Sequence, residues 1–277
     1  MEFEHSVRSL RSEVGFFTGL ADIFICRAPG RLDLMGGNDD YTGGLVFETT
    51  IGEATYAAAQ LSGDQRIMLR NKTAEDAGWK GEIQITLDEL RDLENLRRIV
   101  NASNDLRWTA YVLGNLHWLL QKYPGRIASG IRLYMESNLP LNRGVSSSAA
   151  IEVAVMKASA AAYGIDLCGV ELALACQWVE NVIAGSACGI MDQVTVVLGQ
   201  EGFMLPLVCQ PCLPEPLVRL PDKLQVFGID SGVSHQVAGV EYEAARAAAF
   251  MGYKIICDHE NIAVSLEESA EIGRAHV

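Results

Sequence analysis

No apolar stretch in this sequence approaches the roughly 20 residues that a bilayer-spanning helix needs. The opening residues, MEFEHSVRSLRSEVGFF, are mixed in charge and lack a signal-peptide core, so a cytoplasmic protein with no membrane role is expected. Positive charge is scarce: 22 Lys and Arg face 35 Asp and Glu, for a net charge of −13. An acidic chain repels phosphate backbones, which argues against a broad nucleic-acid surface. A small phosphorylated ligand remains compatible, because helix N-termini and a divalent cation create positive potential locally. The cysteines at 26, 168, 176, 188, 209, 212 and 257 form no regular framework, and their odd number favours free thiols. Cys209 and Cys212 stand in CQPC, but no second pair accompanies them to make a zinc site. Repeats, low-complexity linkers and a GxxxxGK[ST] loop are also absent.

What is present is a chain of 277 residues, 49% hydrophobic and 21% charged, long enough for two small domains or one large α/β unit. ADIFICRAPGR reads as a strand ending in a turn, and the β-branched, alanine-rich GGLVFETTIGEATYAAAQ as further strand. Trp108, Tyr111, Val112, Leu116, Leu119 and Leu120 fall at helical spacing, and GIRLYMESNLP alternates like a strand. Helices are predicted from about Ser148 to Tyr163 and from about Val170 to Ala184, stopped by Gly164 and Gly185, and again over about Val240 to Cys257. GFMLPLV and KLQVFGIDSG read as strands. Irregular mixing of these elements points to an α+β fold.

Three serines, Ser146 to Ser148, sit directly before an apolar helical run, where one would suffice as a cap. Serine hydroxyls at a helix N-terminus can cap it, bond phosphate oxygens or ligate Mg²⁺, and Gly144 upstream lets the backbone approach a ligand. Both a capping cluster and a phosphate cradle fit these residues taken alone. Arg27 to Gly44 forms a glycine-rich, polar loop after a strand, and its Asp39–Asp40 pair suits vicinal sugar hydroxyls. Glu180 and Asp192 flank a Gly-Ser-Ala-Cys-Gly turn, with Glu180 late in an otherwise apolar helix, as a rim residue or a metal ligand.

LPLNRGVSSSAAIEVA resembles the P-x-G-x-G-x-S-S-S-A motif of the galactokinase, homoserine kinase, mevalonate kinase and phosphomevalonate kinase (GHMP) superfamily. RAPGRLDLMGGNDDYTGG resembles the galactokinase motif A-P-G-R-x-N-x-I-G-E-H-x-D-Y, and CGIMDQ the galactokinase signature. The resemblance runs from about Cys26 to Cys257. It implies a GHMP-kinase fold: a ribosomal-protein-S5-like N-terminal catalytic domain over residues 1–205 and the start of a ferredoxin-like C-terminal domain over 206–270. It also implies ATP and Mg²⁺ as cofactors. Arg143, Gly144, Ser146 and Ser147 would line the phosphates, Ser148 and Glu180 would hold Mg²⁺, and Trp108 would lie near the adenine. Arg31 and Asp192 would be catalytic at the sugar hydroxyl, with Asp40, Gly189 and Tyr242 binding the sugar. His117 and His235 receive no role.

The departures are informative. Gly37 and Asn38 stand where galactokinases have Glu-His, so two sugar contacts change, and Asn142 and Arg143 replace residues that are usually glycine. APGRLD-MGG--DY-G resembles the L-arabinokinase branch, whose sugar shares the galacto hydroxyl arrangement but lacks the hydroxymethyl group. The implied reaction is phosphorylation of the anomeric hydroxyl of a monosaccharide, L-arabinose before D-galactose. A sugar- and ATP-sensing regulator without turnover is the alternative of another class, although Ser148, Ala149 and Ala150, which such regulators lose, are intact. The glycine-rich T-G-x-G-x-G-G motif is missing, and EIGRAHV matches the translation of a common sequencing-adapter read. We therefore expect Glu271 to Val277 to be artefactual and the natural protein to continue.

Overall fold

Alternation of small and β-branched residues lets one strand serve two cores, and the longest strand in this chain does so. The computed structural model describes residues 2–12, 16–19, 21–37, 39–40, 42–232 and 240–262. Helix α1 (Glu2–Ser12) precedes strands β1 (Phe24–Met35) and β2 (Leu45–Leu61). Next come β3 (Arg66–Asn71), α2 (Lys72–Asp76), β4 (Glu82–Thr86), α3 (Leu87–Arg91), α4 (Leu93–Val100), α5 (Thr109–Lys122) and β5 (Ile131–Ser137). The chain continues through α6 (Ser147–Ala162), α7 (Gly169–Val179), α8 (Met191–Leu198), β6 (Phe203–Val208), β7 (Leu213–Pro214), β8 (Val218–Arg219) and α9 (Val240–His259).

Among the described residues the strands form one sheet in the order β4-β3-β5-β2-β6-β7, with β1 along β2 and β8 on β6. β1 lines one edge of β2, while the other edge is shared between β5, at Thr55 to Leu61, and β6, at Leu45 to Thr49. The side chains of β2 alternate between two cores. Ala57 and Ala59 enter the main core with α5, α6 and α7. Ala58 enters a smaller cluster in which α1 covers the opposite face, where Phe3 stacks on Tyr56 and Tyr134 at 5.3 and 5.5 Å. The alanines of α6 (149, 150, 154, 158 and 160) are buried, and their small side chains let this helix lie close on β1 and β2.

The α+β reading holds, and α5, α6, β2, β5 and β6 form where the sequence predicts them, whereas α8, which carries Asp192, was not expected. Three predicted elements differ. The expected turn at Pro29-Gly30 is absent: β1 runs on through both residues to Met35 because β2 pairs with it across a register break, so Arg27–Met35 is strand rather than loop. The helix expected to run to Ala184 leaves α-geometry at Val179 and continues as a π-helical turn over Glu180–Ala184, closed by Gly185 at φ +71°. Such turns re-aim side chains and concentrate at functional positions. KLQVFGIDSG forms no strand: Phe227 and Ile229 are 76% and 93% exposed, because no neighbouring strand pairs with them. Tyr242 lies in α9, but its side chain is outside the described residues, as are Asn38, His235 and the 271–277 segment.

α5 is seated against the π-helical turn through Gly114, where a Cβ would stand 2.5 Å from Val179 Cγ1 and 3.2 Å from Ile183 Cβ. Gly114→Val is expected to cost about 1–3 kcal/mol through overpacking. Urea denaturation checks this, and an unchanged midpoint would show that the two elements do not pack as described.

Candidate active site

Arg31 is aimed by a break in the β1–β2 ladder. The register shifts between Pro29–Ala54 and Arg31–Thr50, and Gly30 occupies the break. A side chain at Gly30 would strike Leu139 and stand 3.0 Å from the Val145 carbonyl, so glycine is what lets the serine-bearing loop approach. The Arg31 N–H donates to that carbonyl at 3.2 Å. The guanidinium then ties the site together. Its Nε donates to Asp192 Oδ1 at 2.8 Å, its Nη2 lies 2.6 Å from the same oxygen, and its Nη1 donates to the Gly144 carbonyl at 2.7 Å. Burial works against the Arg31 charge, but Asp192 and Glu48 more than offset it and raise its pKa above the usual value.

The serine turn is not a helix cap. Asn142, Gly144 and Ser146 are left-handed, at φ 57°, 72° and 57°. Left-handed residues interleaved in a turn gather backbone N–H groups into anion-binding concavities. Ser146 makes no side-chain capping bond to α6, and its buried Oγ has no hydrogen-bond partner. Arg143 pairs through Nε with Asp230 at 3.2 Å, and its Nη1 is likewise buried without a partner. Both unpartnered donors belong to residues lining a cavity of about 660 Å³. Asn142 takes the left-handed backbone that the sequence comparison with glycine requires.

Glu180 reaches the same cavity from the π-helical turn. Burial and the nearby Asp192 charge push its carboxyl up to about 7, against hydrogen bonds from Ser148, Cys188 and Gln193. Gln193 Nε2 is shared between Glu180 Oε2 at 2.6 Å and Glu152 Oε2 at 3.2 Å. Asp192 lies in the first turn of α8 with its side chain 22% exposed, so the pair with Arg31 stands at the cavity wall rather than in the core.

The sequence-predicted residues Arg31, Trp108, Arg143, Gly144, Ser146, Ser147, Ser148, Glu180 and Asp192 thus line one cavity. Trp108 is mostly buried and donates from Nε1 to the Lys80 carbonyl at 2.9 Å. The expected sugar side is built differently. Buried Asp40 packs on Gly189, where a Cβ would overlap its carboxylate, whereas a Cβ at Gly37 would meet only the exposed Asp33 carboxylate, which can turn aside. Neither Gly37, Asp40 nor Gly189 lines the cavity.

Several site residues escaped sequence reasoning. Trp79, Asn101, Asn104 and Arg107 line the end of the cavity that holds Trp108. A lone tryptophan between glycines, GWKG, was the available signal. Glu48 is fully buried in β2 beside Arg31, with Oε2 3.4 Å from Nε, and a charged residue in an alternating strand gave no sign of that position.

Residues 110–200 match the model for the GHMP kinases N terminal domain, and residues 16–61 match the galactokinase galactose-binding signature. Residues 110–200 are thus similar to the N-terminal domain of GHMP kinases. The chain is 36% identical to an L-arabinokinase of Arabidopsis thaliana over 280 aligned positions, which cover 91% of this chain and 27% of that protein. It is 37% identical to a galactokinase of Chloroflexus aurantiacus, covering 80% of this chain and 53% of the relative. In solved structures, a Lactococcus lactis galactokinase complexed with galactose superposes with a TM-score of 0.71 at 22% identity, over 89% of this chain and 59% of that one. That likeness establishes the GHMP-kinase fold. The chain spans little more than half the length of the galactokinases it matches and about a quarter of the arabinokinase.

Gln193 is the donor that keeps two buried carboxyl groups compatible. Gln193→Leu is expected to lower stability by about 1–3 kcal/mol in metal-free buffer. Losing the donor raises the Glu180 pKa further, so the deficit should widen as pH rises through about 7, where Glu180 otherwise ionises. Thermal melts at pH 6 and 8 check this, and a deficit independent of pH would contradict the account.

Proposed function

We propose that the protein is an ATP-dependent sugar 1-kinase of the arabinokinase and galactokinase type, with L-arabinose as its preferred substrate. The observation that carries this reading is the meeting, in one cavity, of the Arg31–Asp192 pair, the unpartnered Ser146 hydroxyl and the Glu180 carboxylate. Phosphoryl transfer needs alignment and charge neutralisation more than covalent chemistry, and these groups supply both. Ser146, Ser147 and the N–H groups opening α6 hold phosphate oxygens, with Arg143 Nη1 as a further donor. Asp192 accepts the hydrogen bond of the attacking anomeric hydroxyl and orients it. Arg31 fixes that carboxylate and faces the charge that develops on the transferring phosphoryl. Trp79 and Trp108 offer ring surface to the base.

The hydroxyl of Ser148 and the carboxylate of Glu180 form an all-oxygen pair suited to Mg²⁺, which when bound would neutralise phosphate charge. Among the described residues no group of three or more His, Cys, Asp or Glu forms a metal cluster, so phosphate oxygens would complete the shell. Asp40 packs on Gly189 beside the turn leading to Asp192, outside the cavity lining, and in this proposal these two residues and Tyr242 bind the sugar hydroxyls. The arabinose preference is supported by Gly37-Asn38 and Arg143 and by the extent of the arabinokinase match. The domain division is part of the same proposal. In α9, Met251, Ile255 and Ile256 are at least 60% exposed, unlike the buried faces of α5 to α7, which fits a helix outside the first domain. Among the described residues no helix is long and apolar enough to cross a membrane.

An ADP-release assay of the intact protein with L-arabinose, D-galactose, D-galacturonate and mevalonate tests the substrate. L-Arabinose should give the highest kcat/KM. Equal or better rates on galactose would overturn the preference, and binding without turnover would favour a sensor. Asp192→Asn or Arg31→Ala should each lower turnover by about 10²–10⁴-fold while ATP binding stays measurable. Unchanged rates in both would remove the catalytic assignment.

A further inference from the structure

Glu48 has no part in the chemistry described so far, yet it is the carboxyl group nearest Arg31 after Asp192. It lies on β2, directly across the ladder from Asp33, and its side chain is 0% exposed. Both of its oxygens are buried and receive no hydrogen bond from a donor, Oε2 stands 3.4 Å from Arg31 Nε, and the Asp33 carboxyl is within hydrogen-bond reach of a protonated Glu48. That Nε already donates to Asp192 Oδ1 at 2.8 Å, so it stands between two carboxyl groups. The groups facing Glu48 are Arg31 and Asp33 from β1, Asp192 from α8 and Cys209 just beyond β6. Arg31 is the only cation among them. Were Glu48 ionised, a fully buried carboxylate would share the Arg31 guanidinium with Asp192, with the exposed Asp33 adding a third negative charge nearby. A buried charge without its own partner is costly, and a carboxyl group so placed keeps its proton instead. Burial pushes the Glu48 carboxyl up to about 9, against the pull of Arg31 and with the charges of Asp33 and Asp192 adding to the rise.

We propose that Glu48 is a positioning residue: as a neutral carboxylic acid it braces Nε of Arg31 without competing for its charge, and its ionisation draws Arg31 away from Asp192. The role rests on the reading of Arg31 and Asp192 as the catalytic pair. Neutral Glu48 leaves the guanidinium charge to Asp192 and to the transferring phosphoryl. Ionised Glu48 turns a one-to-one ion pair into a contest between two carboxylates. Turnover should therefore fall on the alkaline side as the Glu48 proton is lost, at about pH 9. Ordinary sequence reading misses this residue because its importance lies in being uncharged.

The test compares the intact protein with Glu48→Leu and Glu48→Gln. Leu fills the space but gives Nε no polar neighbour, so kcat should fall by about tenfold while KM for ATP changes by less than about twofold. Gln is neutral at every pH and nearly isosteric. It should recover most of the turnover lost in the Leu variant and lack the alkaline decline of the parent. A Leu variant as fast as the parent would overturn the proposal. So would a Gln variant as slow as Leu, or one that keeps the parent's alkaline decline. Infrared difference spectra at pH 7 give a readout independent of turnover. The parent should show a protonated-carboxyl C=O band that is missing from Glu48→Gln, and identical spectra would show Glu48 ionised and end the proposal. If the parent phosphorylates none of the sugars, the kinase reading has failed, and the infrared comparison alone still decides whether Glu48 is held neutral.

Discussion

The Arg31 guanidinium joins parts of the chain more than a hundred residues apart: the strand that carries it, the serine loop through the Gly144 carbonyl and α8 through Asp192. Its backbone N–H adds a second tie to that loop at Val145. The rest of the site depends on this convergence. Without it the loop would have no fixed height above β1, and Asp192 would be an acidic residue at a helix N-terminus with no assigned direction. The ladder break at Gly30 makes the approach possible, and the bare Cα there does work that no side chain could.

The same arrangement makes the proposed polyphosphate site compatible with so acidic a chain. Net charge is a property of the whole surface, whereas the cavity concentrates local donors: left-handed turns that collect N–H groups, the opening of α6, and unpartnered atoms on Ser146 and Arg143. The carboxyl groups nearby are managed by environment. Burial and the Asp192 charge push Glu180 up to about 7, so in the proposed site a bound cation would favour its ionised form. Glu48 is kept protonated, so the Arg31 guanidinium is not overdrawn.

Much of this was legible in the sequence where local chemistry and geometry coincide. The serine run pointed to a backbone turn beyond an ordinary helix cap, and helical spacing placed α5 and α6 to within a few residues, whereas Arg27–Met35, read as loop, is strand because β2 pairs with it. Other features depend on tertiary partners. KLQVFGIDSG has strand-like composition, but a strand exists only beside another, and Phe227 and Ile229 meet solvent instead. The π-helical turn after Val179 is invisible to a 3.6-residue period, although it is what directs Glu180 into the cavity. The Thr86–Glu89 capping box opening α3 was a readable local signal that the pattern search passed over. Glu48 was hidden for a deeper reason, since its neutrality arises from burial, with the charges of Asp33 and Asp192 outweighing the pull of Arg31 only once the fold brings them together.

The central claim is that the serine turn, Glu180 and the Arg31–Asp192 pair form one site for a metal–triphosphate. Calorimetric titration of the intact protein with a non-hydrolysable ATP analogue, with and without Mg²⁺, tests it most directly when the parent is compared with Glu180→Gln. The account predicts that Mg²⁺ tightens binding to the parent by about tenfold or more and that most of this gain is lost in the variant. Binding that ignores both Mg²⁺ and Glu180 would contradict it.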